Sequence, residues 1–145
     1  MNQFKELLGY SINELNVGDV AKRTKKITEE DVMLFAEVST DKNPAHTNEA
    51  YARSTQFGER IAHGILSASL ISAVIGEELP GAGTIYLSQD LKFRAPVFFN
   101  DEITAVVEVL EIIEEKNRVI LKTYAINQHN QVIIDGQAMV MAPKK

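Results

Sequence analysis

The sequence predicts an α+β fold in which an antiparallel sheet curls around one long helix. Residues 64–78 are apolar on every side apart from small serines, so this helix is expected to be buried almost all round. After it, segments 84–93, 103–113, 119–126 and 132–141 alternate apolar and polar side chains, which is typical of strands with one buried face. A sheet that wraps the helix buries both kinds of element.

The elements before the long helix are shorter. Residues 17–27 have weak strand character. Thr28 is then predicted to cap a helix whose first turn is acidic, and the helix must end near Ser39 because Pro44 disfavours helical geometry at the residue before it. The apolar stripe expected on this helix consists of Val32, Leu34, Phe35 and Val38.

The remaining breaks in the pattern predict one compact unit over residues 1–145. Pro80 and Gly81 end the long helix, and residues 128–131 form a turn between the last two strands, so the strands are predicted to form a meander. There is no Gly/Ser tract, charge block or repeat that would mark a linker. An open sheet edge needs cover, which predicts a homodimer or a higher oligomer built from dimers.

Composition excludes several classes of function. Fifteen Lys plus Arg against twenty Asp plus Glu give a net charge of -5, which would repel nucleic acid, and no apolar run approaches the length of a membrane span or a signal peptide. The absence of cysteine removes disulfides and thiolate ligands and is compatible with a cytoplasmic location. The three histidines lack the i, i+4 spacing of metal ligands, so neither a metal nor a cofactor is expected.

Acid-base chemistry is most plausible in the segment STDKNPAH. Asp41 supplies a carboxylate, and the imidazole of His46 exchanges protons near neutral pH, so the two can hold one water molecule between them. Asn43 and Pro44 would keep this segment in a fixed loop. The same residue types are also common in turns without any catalytic role, so both interpretations stay open on spacing alone.

The start of the long helix is the second candidate. Gly64 leaves backbone N–H groups uncovered at the positive end of the helix dipole, where a carbonyl oxygen can approach, although His63 and Gly64 also suit a simple turn. Ser72 is a candidate buried hydroxyl that Asp41 would satisfy, unless it bonds back to the helix backbone. Arg94 is a candidate for a basic rim that binds an anionic ligand, and Ile75 for the wall of an apolar tunnel.

Together these segments resemble the MaoC-like family of (R)-specific enoyl-thioester hydratases and dehydratases. The resemblance covers nearly the whole chain and includes the blocks at 60–72 and 80–103. Thr40 and Ala45 depart from the usual pattern of the family without removing a reacting group. The family motif is matched by Phe35, Ser39, Asp41, Asn43, Pro44, His46 and Ala52.

The resemblance implies a hot-dog fold, a dimer made by joining two sheets, and reversible hydration of a 2-enoyl thioester of coenzyme A or of acyl carrier protein. It implies that Asp41 is the general base, that His46 orients the water and shuttles the proton, and that the Gly64 N–H binds the thioester oxygen. Asn43, His63 and Ser72 are expected to support these groups.

Four rival functions remain for comparison. Hot-dog thioesterases, and carrier-protein dehydratases of the type that pairs a His loop with a helix Glu, place a carboxylate on the central helix. Residues 64–76 have none, which disfavours both. A carrier-protein dehydratase that uses the MaoC-like residues stays open. So does a module that binds acyl thioesters without catalysis, although the presence of Asp41 and His46 argues against it.

Overall fold

A computed structural model describes residues 3–145, which form six strands and four α-helices. The strands are β1 (Val20–Lys26), β2 (Ile85–Gln89), β3 (Lys92–Phe93), β4 (Glu102–Ile113), β5 (Arg118–Ile126) and β6 (Val132–Met141). The helices are α1 (Glu29–Ser39), α2 (Pro44–Thr47), α3 (Glu49–Arg53) and α4 (Gly64–Glu77), with 3₁₀ turns at Lys5–Leu7 and Glu114–Lys116.

The strands form one antiparallel sheet in the order β1-β4-β5-β6-β2, and β3 also pairs with β6. The predicted meander is confirmed for β4, β5 and β6. The predicted strand over residues 84–93 is instead broken into β2 and β3, and both pair with β6 rather than with β4. Gly136 of β6 makes this possible, because a Cβ at that position would lie 2.0 Å from the carbonyl oxygen of Asp90 at the break.

Helix α4 packs on the concave side of the sheet and builds the core. One face is buried against the strands and consists of Ser67, Leu70, Ile71, Val74 and Ile75. The other face is exposed and carries Ile65, Ser69, Ser72 and Gly76. The expectation that this helix is buried on all sides is therefore wrong for a single chain, because one sheet covers only one side of the helix.

Helix α1 begins and ends where the sequence predicts. The Thr28 side chain accepts a hydrogen bond from the Asp31 N–H, and the Asp31 carboxylate accepts one from the Thr28 N–H, which completes a capping box. The predicted apolar stripe is only half right, because Leu34 and Val38 are 62% and 82% exposed. At 100° per residue these two positions lie on the side of the helix away from the buried Val32.

The described residues include no helix that is both long and apolar enough to cross a membrane.

Candidate active site

The segment predicted for acid-base chemistry is a tight turn followed by a short helix. Thr40 ends α1 in the left-handed conformation, with φ of 65°. The Asp41 carboxylate accepts a hydrogen bond from the Asn43 N–H at 3.2 Å, and the Asn43 side chain accepts one from the Ala45 N–H at 3.0 Å. Asn43 thus caps α2, with Pro44 as its first residue. The predicted loop is therefore partly helical, and it is rigid because its own backbone amides bind its polar side chains.

His46 lies in α2 with one ring nitrogen tied to the backbone. Its Nδ1 is 2.7 Å from the carbonyl oxygen of Ile61. Because a carbonyl can only accept, Nδ1 carries the proton, and Nε2 presents a lone pair. Burial lowers the pKa of His46 from its ordinary value of 6.5, and the nearby His63 lowers it further. The Ile61 carbonyl and the Asp41 carboxylate raise the pKa and so offset part of this change. The ring is therefore neutral at neutral pH and able to accept a proton.

His63, the residue just before α4, joins the two segments. It is buried, and its Nε2 donates to the backbone carbonyl of Asp41 at 2.9 Å. Its ring lies against the His46 ring with centroids 3.9 Å apart, and it meets the Phe35 ring edge-on at 4.9 Å. Its Nδ1 finds no partner among the described residues.

Asp41, His46 and His63 form a compact cluster. One ligating atom from each lies within 4.8 Å of the others. Ligand atoms around a tetrahedral metal ion with bonds of about 2 Å stand about 3.3 Å apart, so a cluster of this width would have to contract to hold one. Two acceptors that each bind a water molecule at about 2.8 Å can stand up to about 5.6 Å apart. The spacing thus suits a bridging water without any rearrangement.

Gly64 begins α4 beside an apolar cleft. A Cβ on this residue would lie 2.6 Å from the Cδ1 and Cε1 atoms of Phe93, so only glycine fits with the Phe93 ring in its present place. The residue is exposed, and no side chain caps the helix at His63. The cleft has a volume of about 390 Å³. Its lining includes Phe57, Ile61, Gly64, Ser67, Phe93 and Arg94.

Of the other predicted site residues, one lies at the cleft, one in the core and one on the exposed face of α4. Arg94 lines the cleft and contacts the Asp135 carboxylate, with its Nε 3.3 Å from Oδ2. Ile75 is only 1% exposed and lies in the core, where its side chain packs among the sheet residues and not along the cleft. Ser72 was expected to be a buried hydroxyl but is exposed, because it lies on the face of α4 that the sheet does not cover.

Ser67 was not among the site residues predicted from the sequence. Its side chain is fully buried and lines the cleft one turn after Gly64. The i, i+3 spacing from Gly64 was a usable signal, since residues three apart share a helix face.

Comparison with known proteins identifies the family. The sequence-family model described as 'MaoC like domain' matches residues 15–130. The (R)-specific enoyl-CoA hydratase of Rhodospirillum rubrum is 46% identical over 97% of this chain and 96% of its own length. A mitochondrial 3-hydroxyacyl-[acyl-carrier-protein] dehydratase of Arabidopsis thaliana is 41% identical over 89% of this chain and 78% of its own length.

A solved structure agrees with these sequence matches. The unliganded R-hydratase PhaJ1 from Pseudomonas aeruginosa superposes with a TM-score of 0.91 and 49% sequence identity, over 96% of this chain and 89% of that chain. The sheet packed against α4 is accordingly the hot-dog fold, and the chain belongs to the MaoC-like family of hydratases and dehydratases.

Proposed function

We propose that this protein is a hydro-lyase, an (R)-specific enoyl-CoA hydratase that adds water reversibly to a 2-enoyl-CoA and forms an (R)-3-hydroxyacyl-CoA. The observation that carries the proposal is the Asp41 and His46 pair, in which one ligating atom of each residue lies within 4.8 Å of the other, beside the start of α4. Relatives named for this reaction match nearly the full length of the chain.

The pair activates water. One hydrogen of the water is held by the Asp41 carboxylate and the other by the lone pair on His46 Nε2. The Nδ1 bond to Ile61 selects this tautomer, and burial, which lowers the pKa of His46, keeps Nε2 unprotonated. Asp41 takes a proton as the water oxygen bonds to C3, and the electron pair of the C2–C3 double bond moves into the thioester as an enolate. The proton then passes through His46 to C2, so that one water is added and the protein ends unchanged.

The start of α4 stabilises the enolate. Negative charge develops on the thioester oxygen, and the Gly64 N–H lies at the positive end of the α4 dipole. This donor binds the enolate more strongly than the neutral thioester, which lowers the barrier and not merely the Michaelis constant. A single donor of this kind is typically worth about 10² to 10³ in turnover.

Two neighbouring residues hold these groups in place, and a third can bind the substrate. Asn43 fixes the turn by capping α2, and His63 binds the Asp41 carbonyl while its ring supports that of His46. Arg94 is half exposed at the cleft, where its guanidinium can also meet a phosphate of coenzyme A. Its bond to Asp135 then exchanges for one to the ligand.

A homodimer formed through β2 completes the assembly. This strand is the open edge of the sheet at its β6 end, and it leaves Ile85, Tyr86 and Leu87 exposed. Pairing with β2 of a second copy would satisfy the free backbone groups and cover these side chains. Light scattering at micromolar concentration tests this, since a monomer would contradict it. A cytoplasmic location and a single MaoC-like domain over 1–145 stay predictions; cell fractionation checks the former.

The decisive experiment follows loss of the enoyl-thioester absorbance of crotonyl-CoA, with chiral analysis of the product. The wild type is expected to form the (R)-alcohol, and Asp41→Asn and His46→Gln are each expected to lose at least about a hundredfold in turnover. Circular dichroism and urea unfolding confirm that both variants are folded. Near-normal turnover in either folded variant would remove that residue from the mechanism.

The same assay separates the alternatives. The 41% identical relative named as a carrier-protein dehydratase favours the alternative in which the substrate is carried by acyl carrier protein. The values of kcat/KM are therefore compared for the crotonyl thioesters of coenzyme A and of acyl carrier protein. A higher value for the carrier protein would make this chain a dehydratase for that substrate. Binding of crotonyl-CoA with no turnover of either thioester would identify a non-catalytic module.

A further inference from the structure

Ser67 has a buried hydroxyl without a partner. Its side chain is 0% exposed, and its Oγ makes no hydrogen bond to any residue the structure describes. Ser69 on the same helix behaves ordinarily, because its Oγ donates to the Leu66 carbonyl at 2.5 Å. A buried hydroxyl that could bond back to its own helix but does not is costly, and each such group in a native protein needs an explanation, such as a catalytic role or a bound water.

Ser67 lies next to the proposed oxyanion site on the same face of α4. Side chains on a helix lean towards its N-terminus, so a residue covers the surface three to four positions before it. Three positions before Ser67 is Gly64, which has no side chain to fill that surface. Both residues line the same cleft. The other polar side chain in the cleft lining is Arg94, and Asp135 already binds it.

The two donors have the spacing to share one oxygen atom. Residues three apart are separated by about 4.5 Å along a helix axis. Two donors that each stand about 2.9 Å from the same acceptor can be up to about 5.8 Å apart. A carbonyl oxygen has two lone pairs, so it can accept from a backbone N–H and a hydroxyl together.

We propose that the Ser67 hydroxyl is a second donor to the thioester oxygen, beside the Gly64 N–H. The inference rests on the proposed function, since it assigns Ser67 to the same reaction. The hydroxyl hydrogen points at the oxygen on which the enolate charge develops, and no covalent bond to Ser67 forms or breaks. The surrounding apolar side chains strengthen this contact by excluding water from the cleft.

Ser67→Ala tests the proposal, with Ser69→Ala as the matched control. Alanine keeps the Cβ and is a good helix former, so Ser67→Ala is expected to fold. On crotonyl-CoA its kcat should fall about a hundredfold with little change in KM, which is the pattern for a contact made mainly in the transition state. Ser69→Ala, whose hydroxyl is exposed and already bonded, should match the wild type.

Infrared difference spectra give a readout that a structural role would not move. Crotonyl-CoA labelled with ¹³C at the thioester carbon is bound to Asp41→Asn protein, which holds the thioester unhydrated, and to the same protein with Ser67→Ala added. Loss of a hydrogen bond should raise the stretching frequency of the bound carbonyl. The same comparison with Ser69→Ala should show no change.

Each result of the kinetic and infrared experiments leads to a different conclusion about Ser67. Wild-type kcat together with an unchanged carbonyl frequency in the Ser67→Ala proteins overturns the inference. A raised KM with an unchanged frequency also overturns it, because the hydroxyl would then only shape the cleft. If the wild type binds crotonyl-CoA without turnover, the proposed function fails, and the carbonyl frequency still decides whether Ser67 donates to the thioester.

Discussion

Replacing Gly64 with alanine tests the chemistry at the start of α4 with little disturbance of the fold. The added Cβ would lie 2.6 Å from two ring atoms of Phe93, which is too close for both to stay in place. Phe93 is 53% exposed, so its ring can swing towards solvent instead of pressing into the core. The methyl group then narrows the space beside the Gly64 N–H, which is the proposed donor to the thioester oxygen.

The expected effects on stability and on rate differ in size. Alanine is favoured over glycine in a helix by up to about 1 kcal/mol, and moving a ring off its preferred rotamer costs about 0.5–1.5 kcal/mol. These terms nearly cancel, so the free energy of unfolding should change by no more than about 1 kcal/mol. Turnover should fall by about 10² to 10³, which corresponds to about 2.7–4 kcal/mol in the barrier.

Steady-state hydration of crotonyl-CoA and urea unfolding of the same samples measure both effects. Gly76→Ala is the matched control, because it makes the same change in the same helix and its Cβ would meet nothing within 4 Å. The control should keep wild-type turnover and equal or slightly greater stability. Wild-type turnover in Gly64→Ala would refute the oxyanion assignment. A similar loss in the control would show that α4 is merely sensitive to substitution.

Two further predictions concern pH and stability. Burial lowers the pKa of His46, and protonation removes its lone pair, so kcat/KM should be maintained on acidification and fall only below pH 6.5. In His63→Gln the loss of kcat/KM on acidification should begin at a higher pH, because His63 helps to lower the pKa of His46. An acidic side of the pH-rate profile that stays at the wild-type pH would contradict this. Thr28→Ala removes the cap of α1 and should reduce the free energy of unfolding by about 0.5–2 kcal/mol in urea, with turnover unchanged.

Local rules predict the elements of this fold better than their pairing. The Thr28 and Asp31 capping box is written in adjacent residues, and it places the start of α1 correctly. The division of residues 84–93 depends instead on Gly136, more than forty residues away, which admits the Asp90 backbone. Alternation along one strand carries no information about which edge it will join, so β2 pairing with β6 was not predictable from periodicity.

The candidate site, too, has parts that follow from neighbouring residues and parts that depend on the folded chain. The sequence could single out Asp41 and His46 as candidates, because the turn after α1 leads directly into α2 and brings the two residues together locally. The contact between His63 and the Asp41 carbonyl crosses 22 positions and depends on the path of the intervening chain. Ser67 escaped notice because helix serines usually bond to their own backbone, and only the packed structure shows that this one does not.

His63 explains how two separate elements can act on one small substrate. The proposed acid-base pair lies in the turn after α1 and in α2, and the proposed oxyanion donor belongs to α4, so a shift between them of about 1 Å would weaken both. His63 directly precedes Gly64 in the chain, and it binds Asp41 at 2.9 Å and contacts the His46 ring at 3.9 Å. This side chain therefore helps to fix the distance between the proposed base and the proposed oxyanion donor. Because that side chain is buried and packed against Phe35, the two halves are aligned before the substrate arrives.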